Sequence, residues 1–375
     1  MFGKRITLFR LFGFEIRIDF SWLLIALLIS WTLAKQTFPA YYQNQTASTY
    51  WLMGILGAMG LFASIVFHEL AHSLVARIFG IPMTGITLFI FGGVSEMTKE
   101  PPSPKAEFFM AIAGPLSSIV LGLGLLMIQF LGKGFGWSVP LMGILGYLGL
   151  INLVLAGFNL LPAFPLDGGR VLRSVLWGMK DNIRWATRIA SSIGSAFGLV
   201  LILLGVLSVF MGSIVGGIWW VFIGMFLRSA SQMSYNQLVT RRSLEGEKVR
   251  RFMASQPISV DPALPVKDLV EKFIYQFHFK MFPVVENEHL LGCVNVNQVK
   301  SIPKEKWPIH TVRELTQKCT KDNSIGPDED AMKALSLMNS NKISRLLVIE
   351  GDKLLGLISL KDMLEFLSLK IDLEG

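Results

Sequence analysis

Six apolar segments, at about residues 20–36, 51–79, 106–132, 140–161, 189–211 and 214–227, fill the first two-thirds of this chain. A helix of roughly 20 apolar residues crosses a bilayer. Backbone in hydrocarbon must satisfy its own polar groups, so this part of the chain is expected to be a polytopic α-helical membrane domain. Six crossings bring both ends to one face. Lys4, Arg5 and Arg10 before the first segment, and Arg228, Arg241, Arg242, Lys248, Arg250 and Arg251 after the last, predict that this face is cytoplasmic. Thr32-Leu33-Ala34 resembles a signal-peptide cleavage site, but the spans that follow favour an uncleaved first helix. Lysine and arginine exceed acidic residues by eight through Glu245, and the two balance thereafter. The basic excess therefore reads as topology, and without basic runs interleaved with aromatics no nucleic-acid partner is expected. The two cysteines, Cys293 and Cys319, have no metal-ligand spacing and imply no disulfide framework, which suits a reducing cytosol.

His68-Glu69-Leu70-Ala71-His72 interrupts the second apolar segment. Ionisable residues at membrane depth are costly and call for a compensating role. Residues four apart share a helix face, so both imidazoles can aim a ring nitrogen at one ion. Neutral imidazole suits Zn²⁺, and an adjacent Glu can take a proton from water activated by that ion. The alternative is a pair of core histidines bonded to their neighbours. The membrane half holds only these two of the five histidines.

A second unusual cluster closes the fourth segment: Asn159-Leu160-Leu161-Pro162-Ala163-Phe164-Pro165-Leu166-Asp167-Gly168-Gly169-Arg170. Pro162 and Pro165 preclude a regular helix. A broken helix at membrane depth is tolerated where it is buried in protein or lines a wet cavity. Asp167, just after the break, is the leading third ligand, and two histidines with one carboxylate and an open fourth position form a catalytic zinc layout. Glu96 and Glu107 flank a short cytoplasmic loop and read as solvated; Asp181 reads as paired with Lys180; Arg170 and Arg173 read as facing headgroups. Asn159 either donates its amide to an oxyanion or bonds carbonyls freed by the break.

Phe14 to Asp19 alternates apolar and charged residues, and with Ile6 to Phe12 it predicts a β-hairpin at the membrane interface. Ile86 to Ser95 is β-rich and interrupted by Gly92 and Gly93. It predicts either a re-entrant loop or a strand whose edge could take an extended peptide.

These residues resemble the site-2 protease family of intramembrane zinc metalloproteases. His68-Glu69-x-x-His72, Asn159-x-x-Pro162 with Leu166-Asp167-Gly168, Phe91-Gly92-Gly93-Val94 and Ala113-Gly114-Pro115 carry the resemblance. It implies one Zn²⁺ per chain on His68, His72 and Asp167, with Glu69 as general base and an oxyanion role for Asn159. It also implies cleavage of peptide bonds in or beside transmembrane segments of membrane-protein substrates, and a prokaryotic cell membrane as the location. A PDZ domain carried by many members is not found.

The tail contains a repeat. Ser259-Val260-Asp261-Pro262 returns as Ser324-Ile325-Gly326-Pro327, and Leu291-Gly292-Cys293-Val294 as Leu355-Gly356-Leu357-Ile358. Each unit reads as strand, helix, strand, strand, helix, and the pair resembles the cystathionine-β-synthase (CBS) domain pair, an α/β module. That resemblance implies binding of ATP, ADP or AMP, or a homodimer through the CBS pairs. The nucleotide signature is present as Gly356-x-x-Ser359-x-x-Asp362, so Ser359 and Asp362 are the candidate ligand contacts. Asn295 and Gln298 replace this pair in the first repeat. The expected organisation is a membrane metalloprotease domain at 1–230, a linker at 231–248, and CBS repeats at about 249–309 and 310–375. A transporter or channel gated by CBS domains is the alternative reading, because broken helices and intramembrane polar residues occur there too.

Overall fold

The computed structural model describes residues 5–89, 92–97, 100–287, 289–341, 343–351 and 353–374. Lys4, Phe91 and the side chain of Glu96 lie outside the described residues. The chain divides into two compact units, Met1–Asn236 and Gln237–Gly375.

The first unit opens with strands β1 (Arg5–Leu11) and β2 (Phe14–Asp19), paired antiparallel around Gly13. Asp19 then caps helix α1 (Phe20–Thr32), whose span continues to Tyr41. Helix α2 (Ala47–Ile78) follows, then β3 (Met83–Phe89) and β4 (Gly92–Met97). The expected hairpin and the glycine-interrupted segment join in one sheet, ordered β1-β2-β3-β4, because β3 runs parallel to β2 with Ile16 opposite Ile86. Phe14, Ile16, Ile86 and Leu70 form a buried cluster beneath it. At the end of α2, Arg77 donates to the Phe12 carbonyl and lies over the Phe14 ring, fastening the helix to the hairpin. β4 pairs with β3 alone among the described residues, so it is an edge strand.

Helices α3 (Pro104–Gly134), α4 (Val139–Asn159), α5 (Asp167–Lys180), α6 (Ile183–Phe210) and α7 (Ile214–Leu244) complete the unit. Among the described residues six helices are long and apolar enough to span a membrane, and α5 is not one of them. Large apolar side chains such as Leu27, Phe130 and Leu203 point outward, whereas Gly114, Gly122, Gly143 and Gly149 are buried. A Cβ on Gly122 would lie 2.9 Å from the Gly149 carbonyl oxygen, so α3 and α4 approach through small residues, as helices in lipid do.

In the second unit, β5 (Met281–Glu286) and β6 (His289–Asn295) pair antiparallel, with short helix α8 (Val296–Lys300) after them. The second repeat holds β7 (Ser324–Ile325), α9 (Ala331–Ser340), β8 (Arg345–Glu350), β9 (Lys353–Ser359) and α10 (Leu360–Glu374). The repeats exchange segments. Ala254 bridges to Leu357 of the second repeat, and Gln317 bridges to Cys293 of the first. Gly292 and Gly356 make the exchange possible, since a Cβ would lie 2.0 Å from the Gln317 oxygen and 2.6 Å from that of Ala254. Leu244, Val249 and Phe252 are buried in the core of the second repeat. Residues 231–248, expected as a linker, are helical as far as Leu244.

Candidate metal centre

His68 and His72 lie one turn apart on α2 with their rings 4.8 Å apart, both buried. Each ring is held at Nδ1. His72 Nδ1 donates to the Met110 carbonyl of α3 at 2.6 Å, and His68 Nδ1 hydrogen-bonds with Ser118 Oγ at 2.9 Å. A proton on Nδ1 leaves a lone pair on Nε2, so the carbonyl, which can only accept, selects for His72 the tautomer that a metal ligand needs, and the Ser118 hydroxyl can accept the same proton from His68. The two Nε2 atoms are 3.1 Å apart. Asp167 Oδ2 lies 3.1 Å from that of His68 and 3.3 Å from that of His72. Ligands about 2.0–2.1 Å from a tetrahedral ion are roughly 3.3 Å from one another, so the three atoms fit a small divalent cation such as Zn²⁺. Among the described residues they are the group able to hold a metal.

The space over these atoms is kept by an absent side chain. A Cβ on Gly114 of α3 would fall 2.1 Å from His72 Nε2 and 2.6 Å from His68 Nε2. This supplies a physical reason for Ala113-Gly114-Pro115 in the third span.

Asp167 owes its position to the break after α4. Residues 160–166 turn back against the start of α5, where a Cβ on Gly168 would lie 2.2 Å from the Leu160 oxygen and one on Gly169 2.4 Å from the Phe164 nitrogen. Side chains at either position would push α5, and Asp167 with it, off the turn. Ser231 Oγ of α7 donates to the Phe164 carbonyl.

Glu107 and Arg173 depart from their expected settings. Glu107 is fully buried and Arg173 is 5% exposed. Arg173 donates to Glu107, lies 3.5 Å from Glu100, and rests over the Phe164 ring. Neither is solvated or directed at headgroups. Glu107 flanks a polar loop in sequence and Arg173 lies on a short amphipathic helix, but α5 folds across the start of α3 and closes both in. The pair ties the helix bearing Asp167 to the helix bearing Gly114, Met110 and Ser118. Asp181 is the exposed left-handed residue that ends α5, and Lys180 lies over the Trp185 ring.

Glu69 is half-buried beside the histidines. β4 comes against it at Gly93, where a Cβ would lie 2.8 Å from Glu69 Cγ. Gly92 takes a positive φ of 126°, a conformation natural to glycine, as the hairpin reverses. Asn159 is the last residue of α4, half-buried, and its side chain makes no hydrogen bond among the described residues. Sequence reasoning missed Asn152, two turns earlier and fully buried. It donates to Ser64 Oγ at 2.9 Å, one turn before His68. A lone amide inside an apolar span was the signal available for it.

The model of peptidase family M50 matches residues 56–142 and 137–205, taking in both histidines and Asp167. A candidate zinc metalloprotease of Synechocystis is 34% identical over 342 residues, covering 91% of this chain and 89% of that protein. The chain belongs to peptidase family M50, the site-2 proteases. A zinc metalloprotease of Methanocaldococcus jannaschii is 33% identical over 82% of this chain and 84% of its own. The solved site-2 protease from that organism is 31% identical and covers 61% of this chain and 94% of its own, with a TM-score of 0.43. The CBS domain model matches residues 249–302 and 312–369 of the protease. The protease is thus an integral membrane zinc metalloprotease with CBS repeats, and the transporter reading gives way to hydrolysis.

Proposed function

We propose that this protease hydrolyses peptide bonds within or next to transmembrane segments, with His68, His72 and Asp167 as zinc ligands and Glu69 as general base. The observation that carries the reading is the edge strand β4 lying against Glu69 at Gly93. A peptide bond held in a helix is poorly exposed. An unwound substrate segment can add to the free edge of β4 by main-chain hydrogen bonds, which brings an extended backbone to the ligand cluster. Bound at those ligands, zinc polarises a carbonyl and makes water acidic enough to deprotonate near neutral pH. Glu69 takes that proton and passes it to the leaving nitrogen. The Asn159 amide, which is free to donate, stabilises the oxyanion as it develops. Glu69→Gln should abolish cleavage of a co-expressed membrane substrate while leaving about one zinc per chain. Retained cleavage by that variant would overturn the assignment. Cut sites mapped by mass spectrometry outside membrane-adjacent segments would overturn the substrate class alone.

In the proposed topology both termini and the CBS repeats face the cytoplasm, and the repeats regulate cleavage through adenine nucleotide or by pairing two protomers. A cavity of about 480 Å³ within the tail is lined by Ser359 and Asp362 together with Lys361, Arg345 and Lys280. This combines a carboxylate for ribose hydroxyls with cations for phosphates. The equivalent cavity beside Asn295 is about 240 Å³ and has no acidic residue in its lining. Ser359 and Asp362 also bond each other, as Asn295 and Gln298 do at the start of α8, so both pairs cap helices. Asp362→Ala should weaken ATP binding to the full-length protein in calorimetry. Identical titrations for variant and wild type would leave dimerisation as the role of the repeats.

A further inference from the structure

The hairpin of α6 and α7 is packed closely through glycines, as far from its turn as Gly194, where a Cβ would lie 2.5 Å from Ser231 Oγ. A Cβ on Gly205 would lie 2.7 Å from the Gly217 oxygen, and one on Gly198 2.7 Å from the Gly224 oxygen. Beside the half of the hairpin away from the turn lies a cavity of about 580 Å³ lined by both helices. Its lining includes Arg188, Ser191, Ser195, Arg228, Gln232 and Tyr235, and contains no carboxylate. Arg188 and Arg228 form no ion pair among the described residues, unlike Arg173 in the same unit.

Ser191 is the second observation. It is 6% exposed, and its Oγ has no hydrogen-bond partner among the described residues. Neighbouring hydroxyls in the same two helices are satisfied by their own backbone: Thr187 donates to the Ile183 carbonyl and Ser234 to that of Ala230. A hydroxyl left over inside a cationic cavity is a donor awaiting an acceptor.

Depth narrows the choice. Counting roughly 20 residues back from the turn at Gly212 puts the hydrocarbon boundary near residue 191 of α6 and 233 of α7. Arg188 is then at headgroup level, and Arg228 sits somewhat deeper with its exposed side chain able to reach the same level. Ala196 and Leu199 line the deeper end. The order from the interface inward is thus cation, hydroxyls, apolar wall. Basic pockets between membrane helices suit phosphate-bearing headgroups.

We propose that the groove between α6 and α7 binds the phosphate of an acidic phospholipid, with Arg188 and Arg228 pairing with its charge and Ser191 Oγ donating to it. The full-length protein in neutral detergent, titrated with phosphatidylglycerol or phosphatidylcholine, tests this by native mass spectrometry. Phosphatidylglycerol should be retained about tenfold more than phosphatidylcholine. R188Q/R228Q should abolish that preference, and Ser191→Ala should reduce it several-fold. The serine variant removes one oxygen atom, so the test survives if the double variant does not fold. Equal retention of both lipids by wild type, or an unchanged preference in Ser191→Ala, would overturn the proposal. Release of the lipid by millimolar inorganic phosphate would assign the groove to soluble phosphate and overturn the lipid; continued retention supports it.

Discussion

The two units treat charge in opposite ways. In the membrane unit Glu107 and Arg173 face each other with side chains 0% and 6% exposed, whereas in the tail Arg250 and Asp328 pair 2.6 Å apart with both 55% exposed. The bond type is the same and its consequence is not. An exposed pair gives up little hydration and gains little. A buried pair has lost its water, so each partner depends on the other, and removing one strands a charge. In this chain, buried polar contacts hold the chemistry in place, while exposed ones decorate a domain that packs by its apolar core.

The comparison can be broken most decisively at Gly114. Gly114→Val should eliminate bound zinc and proteolysis together, because its side chain would occupy the ligand space; normal zinc content by atomic emission would contradict the account of the cradle. Glu107→Ala comes next. It should cost on the order of 3 kcal/mol, the lower end for a stranded buried charge because Glu100 remains beside Arg173. Thermal denaturation in detergent should show a clear loss of stability, and zinc affinity should fall as α5 loosens. A stable Glu107→Ala with normal zinc would show that the pair is dispensable. In the tail, burial acts on a thiol instead. Cys293 is pushed up to about 11 by its burial, and since the thiolate is the reactive form, maleimide labelling at pH 7 of a folded Cys319→Ser variant, which leaves Cys293 as the single thiol, should be slow. The rate should climb as pH approaches that value, and prompt labelling at neutral pH would refute the burial. Asp328→Ala should be the smallest effect, with no measurable change in melting temperature; a drop comparable to that of Glu107→Ala would erase the distinction between the units.

What the sequence disclosed follows the same division. Spans, helix break and repeats are local or periodic signals, and the helices, the turn at residues 160–166 and the doubled strands follow them. The contacts made across long separations were not legible. Nothing in Phe14–Asp19 or Met83–Phe89 announces that they pair in parallel, since the alternation that makes each a strand says nothing of its partner. Glu107 beside a polar loop reads as solvated and Arg173 as facing headgroups, because only the fold of α5 over α3 removes them from water. At the candidate metal centre, His68, His72 and Asp167 are nameable from spacing and a proline break. The bonds that hold the imidazoles at Nδ1 are not: the Met110 carbonyl is a backbone acceptor with no residue type to betray it, and Ser118 is one small hydroxyl among many in apolar spans.

The segment exchange in the tail has a consequence for how it can come apart. Leu244, Val249 and Phe252 enter the core of the second repeat before the chain reaches Val260, the first buried residue in the core of the first. No single break in the chain can therefore separate the two repeats, because the second is closed by a segment that precedes the core of the first.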